Sequence, residues 1–116
     1  MKTWDDWIDE DLSHAILIAI HGDIINHFCL SDCETYVYDC GVTGENFHRV
    51  DLIDINNPAD MWPIIIGNRI DIYFDDFGYA EACKSWNYGQ GLEFKDKNPL
   101  RAAAIVFLMM NGVNPE

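Results

Sequence analysis

The sequence predicts an α+β fold of two layers, in which the N- and C-terminal helices pack on one face of a mostly antiparallel sheet. Two observations support this prediction: apolar residues recur at helical spacing near both ends of the chain, and short β-favouring segments separated by turns lie between them. The chain has 116 residues, of which 49% are hydrophobic. A second hydrophobic core would need roughly 50 residues of its own, so we expect a single domain covering 1–116.

The first helix is predicted from residue 4 to residue 21. Thr3 can cap it, and Asp6 stands three residues later, where a capping box places an acid. The acidic residues of the first turns suit the positive end of the helix dipole. Gly22 is a typical helix stop. The apolar side chains at three- and four-residue steps form one stripe: Trp4, Ile8, Leu12, Ala15, Ile16 and Ala19.

The middle of the chain changes to β-favouring segments at 35–38 and 47–53. Asn57 followed by Pro58 then indicates a helix start, because asparagine can cap and proline lacks an N–H that the first turn does not use. Pro63 cannot donate a helical hydrogen bond. We therefore expect a short turn that restarts at Pro63 and ends at Gly67.

The second half contains the clearest strand, in which Ile70, Ile72 and Phe74 alternate with polar neighbours. The segment 79–86 can return as its hairpin partner, and 92–95 suits a further strand. Asn98 and Pro99 repeat the cap-then-proline pattern and predict a last helix. Its apolar stripe and its stop are Leu100, Ala103, Ala104, Phe107, Leu108 and then Asn111–Gly112.

The charge of the chain is strongly acidic, with 20 Asp and Glu against 7 Lys and Arg and a net charge of −13. Such a chain repels phosphate backbones and anionic lipid headgroups, so neither a nucleic acid nor a membrane is a predicted partner. The longest apolar run, 15–20, is far shorter than the roughly 20 residues that cross a bilayer, and the acidic N-terminus is unlike a signal peptide. We expect a cytosolic protein.

The four cysteines, Cys29, Cys33, Cys40 and Cys83, are expected to be free thiols that pack as small hydrophobic residues, because cytosolic thiols are normally reduced. A structural metal is the alternative. The spacing of the first three lacks a Cys-x2-Cys pair, and the fourth ligand would have to be Cys83 or a histidine. No metal and no cofactor is therefore predicted.

Two stretches resemble a known family: residues 57–66, which continue into 69–72, and residues 96–110. Both closely resemble the signature segments of the NinX-like proteins of tailed phages, a family of unknown function, and the acidic start leading into the first helix also fits. The resemblance implies a phage or prophage accessory protein that acts in the cytoplasm of the bacterial host. It supplies no established catalytic residue.

The usual enzymatic motifs are missing from the sequence. It contains no Gly-rich phosphate loop ending in Gly-Lys-Ser/Thr, no His-Glu-x-x-His and no Gly-x-Ser-x-Gly. His14 and His21 are seven residues apart, whereas metal-ligand pairs on a helix are three or four apart. We therefore expect no catalytic residue and a protein that is not an enzyme.

Four residues that the fold does not obviously require are the predicted ligand-binding set: Trp62, Arg69, Asn98 and Arg101. The start of a helix offers unpaired N–H groups, and an arginine there adds a planar fork that suits a phosphate or a carboxylate. The structural alternative is that Arg101 pairs with Asp96 or Asp60 and that Trp62 is a core residue.

These observations lead to two hypotheses for function, ranked above a third, an enzyme that uses a cysteine or a histidine. The first is a non-catalytic phage protein that counteracts a host defence component by sequestering a small nucleotide-like ligand. The second is an acidic mimic of DNA that binds a basic host protein, since residues 1–60 carry thirteen acidic and two basic residues, net −11. Four tryptophans and the apolar run 107–110 also favour a homo-oligomer.

Overall fold

The computed structural model describes residues 2–21, 29–31, 35–39, 47–51, 53–85 and 91–115. The predicted α+β class is confirmed: helices lie against an antiparallel sheet. The elements, in chain order, are a 3-10 turn (Trp4–Asp6), α1 (Asp9–His21), β1 (Cys29–Ser31), β2 (Thr35–Asp39), β3 (Phe47–Asp51), α2 (Pro58–Gly67), β4 (Asp71–Phe74), β5 (Ala80–Ser85), β6 (Gly91–Asp96) and α3 (Pro99–Met110).

The strands form two antiparallel sheets of three strands each, in the orders β1-β2-β3 and β4-β5-β6. Within the described residues no strand pair joins the two sheets. In the second sheet Ile72, Ala82 and Phe94 are neighbours across the strands and face the core, as the alternation around Ile72 predicts. The strand β1 was not among the predicted elements.

The last helix, α3, is the centre of the core. Every residue from 102 to 108 is buried, because β5 and β6 cover one side of the helix while α1 and α2 cover the other. Three consecutive alanines, 102–104, let these elements approach the α3 backbone closely. The apolar run 107–110, from which the sequence predicts self-association, packs into the chain's own core.

The predicted first helix is interrupted after one turn. Thr3 donates its N–H to Asp6 Oδ2 at 2.8 Å, which closes the 3-10 turn, and Ile8 donates its N–H to Asp11 Oδ2 at 3.2 Å where α1 begins. The new start turns Ile8 outward, and 59% of its surface is exposed. The prediction that Ile8 belongs to the buried stripe is therefore wrong, whereas Leu12 and Ile16 are buried as expected.

The helix α2 runs without interruption through Pro63, contrary to the predicted restart. Pro63 and Ala59, whose carbonyl loses its helical partner there, are both exposed, so water can replace the missing hydrogen bond. The predicted caps are confirmed. Asn57 Oδ1 accepts from the N–H of Ala59 and Asn98 Oδ1 accepts from the N–H of Leu100, each at 3.0 Å.

Several sequence predictions fall only partly within the described residues. Cys83 lies half-buried in β5 as a free thiol, and Cys29 lies in β1. Cys33, Cys40 and the predicted stop at Gly22 lie outside the described residues. In the ranges that are described, no helix combines the length and the apolar character that crossing a membrane requires.

Candidate functional site

Arg101, in the first turn of α3, joins three parts of the chain, and its side chain is only 13% exposed. Its Nη1 donates to Asp9 Oδ1 at 2.8 Å. Its Nη2 donates to the carbonyl oxygens of Trp4, which also accepts the Trp7 N–H within the 3-10 turn, and of Trp7, where the first helix is interrupted. Its Nε lies 3.4 Å from Asp96 Oδ2. One guanidinium therefore connects α3, the end of β6 and both N-terminal turns.

Asn98 and Asn56 extend these contacts into a closed ring. Asn98 Nδ2 donates to Asn56 Oδ1 at 2.7 Å, and Asn56 Nδ2 donates to Asp9 Oδ2 at 2.9 Å. Asn98 also donates its N–H to Asp96 Oδ1 at 2.9 Å, so Asp96 accepts a hydrogen bond from Asn98 and forms an ion pair with Arg101. The ring places the N-termini of α1, α2 and α3 side by side.

The turn between β4 and β5 lies at the same end of the molecule. Phe74, Ala80 and Asp96 are direct neighbours across the three strands of the second sheet, and Asp96 contacts Arg101. We call this region the acidic end and define it by its carboxylates: Asp5, Asp6, Asp9, Glu10, Asp11, Asp54, Asp60, Asp75, Asp76 and Asp96.

Most carboxylates of the acidic end also stabilise the fold. Asp54 Oδ1 accepts from the N–H of Asn56, and Asp60 Oδ2 accepts from the N–H of Asp54. Negative charge near helix N-termini is favourable because the helix dipole is positive there. Asp5 and Asp76 are exposed, and Glu10 is exposed 3.9 Å from His14. Their carboxylates face solvent.

The β4–β5 turn is held by Asp75. Its Oδ1 accepts from the N–H of Tyr79 at 2.9 Å and from that of Phe77 at 2.8 Å, and these bonds hold the pKa of Asp75 below its ordinary value of 3.8. Lys95 Nζ lies 3.8 Å from Asp75 Oδ2. Gly78 takes a φ of +89°, a conformation that favours glycine.

The four predicted ligand-binding residues do not share one site. Asn98 and Arg101 are brought together in the ring, where Asn98 meets Asn56 just before the start of α2. Arg69 follows the other end of α2, which at ten residues spans about 15 Å. Trp62 points outward from α2 and is 57% exposed. The alternative that Arg101 pairs with Asp96 is confirmed, and the alternative that Trp62 is a core residue is wrong.

Comparison with known proteins identifies the family. The family model described as Bacteriophage P22, NinX matches residues 4–111 of this chain. The chain belongs to the NinX family. Neither the curated proteins nor the solved structures include a match. The resemblance predicted from residues 57–72 and 96–110 is therefore confirmed, and in this NinX-family chain the acidic end lies entirely within the matched range.

Two shallow grooves follow α1 of the NinX-family chain. One, of about 290 Å³, is lined by Lys2, Trp7, Asp11, His14, Ala15 and Ile18. The other, of about 350 Å³, is lined by Ala15, Ile18, Ala19, Asn111 and Val113. Neither groove includes any of the four predicted ligand-binding residues. Trp7 is held beside the first groove by the hydrogen bond from its Nε1 to the Pro115 carbonyl, at 2.8 Å.

The outer face of the second sheet carries Cys83 among carboxylates. Burial raises the pKa of the Cys83 thiol, and the negative charges of Asp71, Glu81 and Glu93 raise it further. A raised thiol pKa leaves little thiolate at neutral pH, so Cys83 is a weak nucleophile. In the segments that the structure describes, no group of three or more His, Cys, Asp or Glu is placed to hold a metal ion.

Glu81 and Glu93, on the same outer face, give a pH-dependent prediction. The hydrogen bond between their carboxyl groups raises the pKa of Glu81 above its ordinary value of 4.5. The fold is thus favoured where Glu81 is protonated, and this contribution is lost as the pH rises through the raised pKa. Replacing Glu81 with glutamine should raise the melting temperature at pH 7 but not at pH 4, measured by circular dichroism.

The control for this prediction is the other half of the pair. Glu93→Gln should give a similar increase at pH 7, and the double variant should not add the two increases, because either change alone removes the repulsion. Melting temperatures that differ from the wild-type value by the same amount at every pH would contradict the shared proton.

Sequence reasoning missed the partners of Arg101 on the N-terminal side and the role of Asn56. Asp9 is one of several N-terminal acids with no distinguishing local signal, and Asn56 stands beside the more obvious cap Asn57. The aromatic β4–β5 turn carries a sequence signal: Phe77 stands between Asp76 and Gly78, where a solvent-facing turn seldom needs a large apolar side chain.

Proposed function

We propose that this phage protein is a non-catalytic accessory protein that acts in the cytoplasm of the bacterial host and counteracts a host component by binding a basic protein through the acidic end. The observation that supports this most is the clustering of exposed carboxylates from the starts of α1 and α2 and from one hairpin turn. A basic surface that normally contacts the phosphates of DNA would meet comparable negative charge there.

The fixed geometry of the acidic end favours this function. Asp6, Asp9 and Asp11 are held by Thr3, Arg101 and Ile8 respectively, so their positions are set before a partner arrives. Binding then costs less ordering entropy than it would on a flexible acidic tail. The net charge of −13 further accelerates the encounter with a basic partner.

The use of Arg101 and Asn98 inside the fold makes the acidic-mimic hypothesis the better supported of the two. The guanidinium bonds two carboxylates and two carbonyls, and both polar atoms of the Asn98 amide are engaged. A phosphate at this position would have to compete with Asp9 and Asp96 for the same donors. Carboxylates occupy the place that an anionic ligand needs.

The test of the proposed function removes charge without removing structure. The variant Asp5→Asn/Glu10→Gln/Asp76→Asn neutralises three solvent-facing carboxylates and leaves the ring intact. Partners captured from host lysate at about 0.05 M salt are expected to be basic DNA-binding proteins, to dissociate by about 0.5 M salt, and to be displaced by duplex DNA. The triple variant should capture much less of the same proteins.

The matched control changes net charge equally at a different place. Asp71→Asn/Glu81→Gln/Glu93→Gln neutralises three carboxylates on the outer face of the second sheet, of which Asp71 and Glu93 lie three residues from the strand ends that join the acidic end and Glu81 lies one residue away. It should capture as much partner as the wild type. If both triple variants captured equally less partner, net charge alone and not the acidic end would explain binding. Binding that resists high salt would also contradict the proposal.

Capture of a nucleotide-like ligand is the second candidate, supported by the exposure of Trp62 and Arg69. An indole that is 57% exposed can stack on a base, and an exposed arginine can bind a phosphate. Host nucleotide extract should then raise the melting temperature of the wild type, but not of Trp62→Ala or Arg69→Ala. An unchanged melting temperature in the wild type would argue against this candidate.

A further inference from the structure

We propose that Phe77, at the tip of the β4–β5 turn, is an apolar anchor that inserts into a pocket of the protein partner, and that basic residues surround this pocket. The inference rests on the proposed function, because it assigns the partner a second feature beside its basic surface. It names Phe77 as the residue that adds specificity to a contact otherwise governed by charge.

The exposure of the turn is the first observation. Phe77 is 86% exposed and Phe74 is 74% exposed, while the described aromatic residues nearer the core, such as Trp4 and Phe107, are buried. An exposed aromatic pair at the end of a hairpin contributes little to the fold of the free chain. Exposed apolar groups of this size are typical of protein–protein contacts, where they anchor in a pocket.

The rigidity of the turn is the second observation. Asp75 Oδ1 accepts from the N–H groups of Phe77 and Tyr79, and the N–H of Asp75 donates to the Tyr79 carbonyl at 3.0 Å. Lys97 Nζ lies over the Tyr79 ring, 5.9 Å from its centroid. Phe77 is therefore presented on a fixed support rather than on a flexible loop, which lowers the entropy cost of inserting it.

The charge around the turn identifies the chemistry of the partner. Asp76 is exposed next to Phe77, and the strand neighbours Phe74, Ala80 and Asp96 join the turn to the acidic end. Lys95 lies 3.8 Å from Asp75 and Lys97 lies over the Tyr79 ring, so these two cations offset Asp75 and Asp76 at the turn itself, and the excess of negative charge comes from the adjoining acidic end. Lysine or arginine around the pocket that receives Phe77 is complementary to that excess.

The experiment uses a photoreactive amino acid in the full chain expressed in the bacterial host. Benzoylphenylalanine replaces Phe77, which keeps an aromatic side chain there, and Ile66 serves as the control position because it is an apolar residue on α2 that is 56% exposed. After irradiation, position 77 should give a discrete crosslink to a basic protein, and position 66 should not. The crosslinked peptide should contain apolar residues next to lysine or arginine.

Binding measurements on the crosslinked partner, once it is purified, complete the test. Phe77→Ala should weaken binding at least about tenfold while the salt dependence stays unchanged, because an apolar anchor carries no charge. The control Ile66→Ala should bind as the wild type does. Both variants alter exposed side chains, and unchanged circular dichroism spectra will show that they fold.

The outcomes separate this inference from the proposed function. If Phe77→Ala binds like the wild type while Asp5→Asn/Glu10→Gln/Asp76→Asn binds weakly, the anchor is overturned and the acidic-end function stands. If neither variant changes binding, both are overturned. A crosslink from position 77 to a second copy of this chain, to an acidic protein or to no protein at all overturns the anchor.

Discussion

Replacing Arg101 with alanine is expected to lower the free energy of unfolding by about 1–3 kcal/mol, since it removes a guanidinium that is only 13% exposed from a network whose carboxylates are partly exposed. The change would leave the Asp9 and Asp96 carboxylates without their counterion and the Trp7 carbonyl without the Arg101 donor, while the Trp4 carbonyl would keep only the Trp7 N–H. Urea denaturation followed by tryptophan fluorescence measures the loss.

Two further variants sharpen the interpretation of the Arg101 result. Arg101→Lys keeps the charge but loses the planar fork that reaches several acceptors at once. Most of the destabilisation expected for Arg101→Ala should therefore also appear in Arg101→Lys. Arg69→Ala removes an exposed arginine and should change stability by no more than about 0.5 kcal/mol. If Arg101→Ala were as stable as the wild type, the ring would not be what holds the three helix starts together.

The second large effect is expected from Ile65→Ala, at about 2–4 kcal/mol of lost stability, because the side chain is only 4% exposed and its removal leaves a cavity against α3. The neighbouring residue provides a matched control. Ile66 belongs to the same helix and is 56% exposed, so Ile66→Ala should cost less than about 1 kcal/mol.

The pair of isoleucine variants tests the orientation of α2 directly. Both variants have the same composition and the same change in helix propensity, so their difference reports burial alone. Thermal melts monitored by circular dichroism suffice for the comparison. Equal destabilisation of the two would mean that α2 presents a different face to α3 from the one described.

The elements with complete local signals were predictable from sequence. The helix α3 has a cap, a proline and an apolar stripe within thirteen consecutive residues, 98–110, and the structure places it at Pro99–Met110. The strand β4 and its return β5 follow from alternation and a turn motif. The family was also predictable, because residues 96–110 carry an extended similarity rather than a short motif.

The interruption of the first helix and the ring around Arg101 were not predictable, because their causes are distant in sequence. Arg101 is 92 residues from Asp9 and 97 from Trp4, so no local pattern indicates that its guanidinium donates hydrogen bonds to these residues. The predicted ligand-binding residues are dispersed for the same reason, because contacts between residues distant in sequence decide where each of them lies. The predicted set groups residues by chemical type, whereas Trp62 and Arg69 lie on and just after α2, and Asn98 and Arg101 lie at the start of α3.

The alanine run of α3 limits how this architecture can vary. With only methyl groups at 102–104, the spacing between the second sheet and the outer helices is set by main-chain atoms rather than by side chains that could adopt other rotamers. A larger residue there would push apart two surfaces at once. A substitution that shifts the second sheet therefore also shifts α1 and α2, because all of them pack directly on the backbone of α3 and no flexible side chains lie between them.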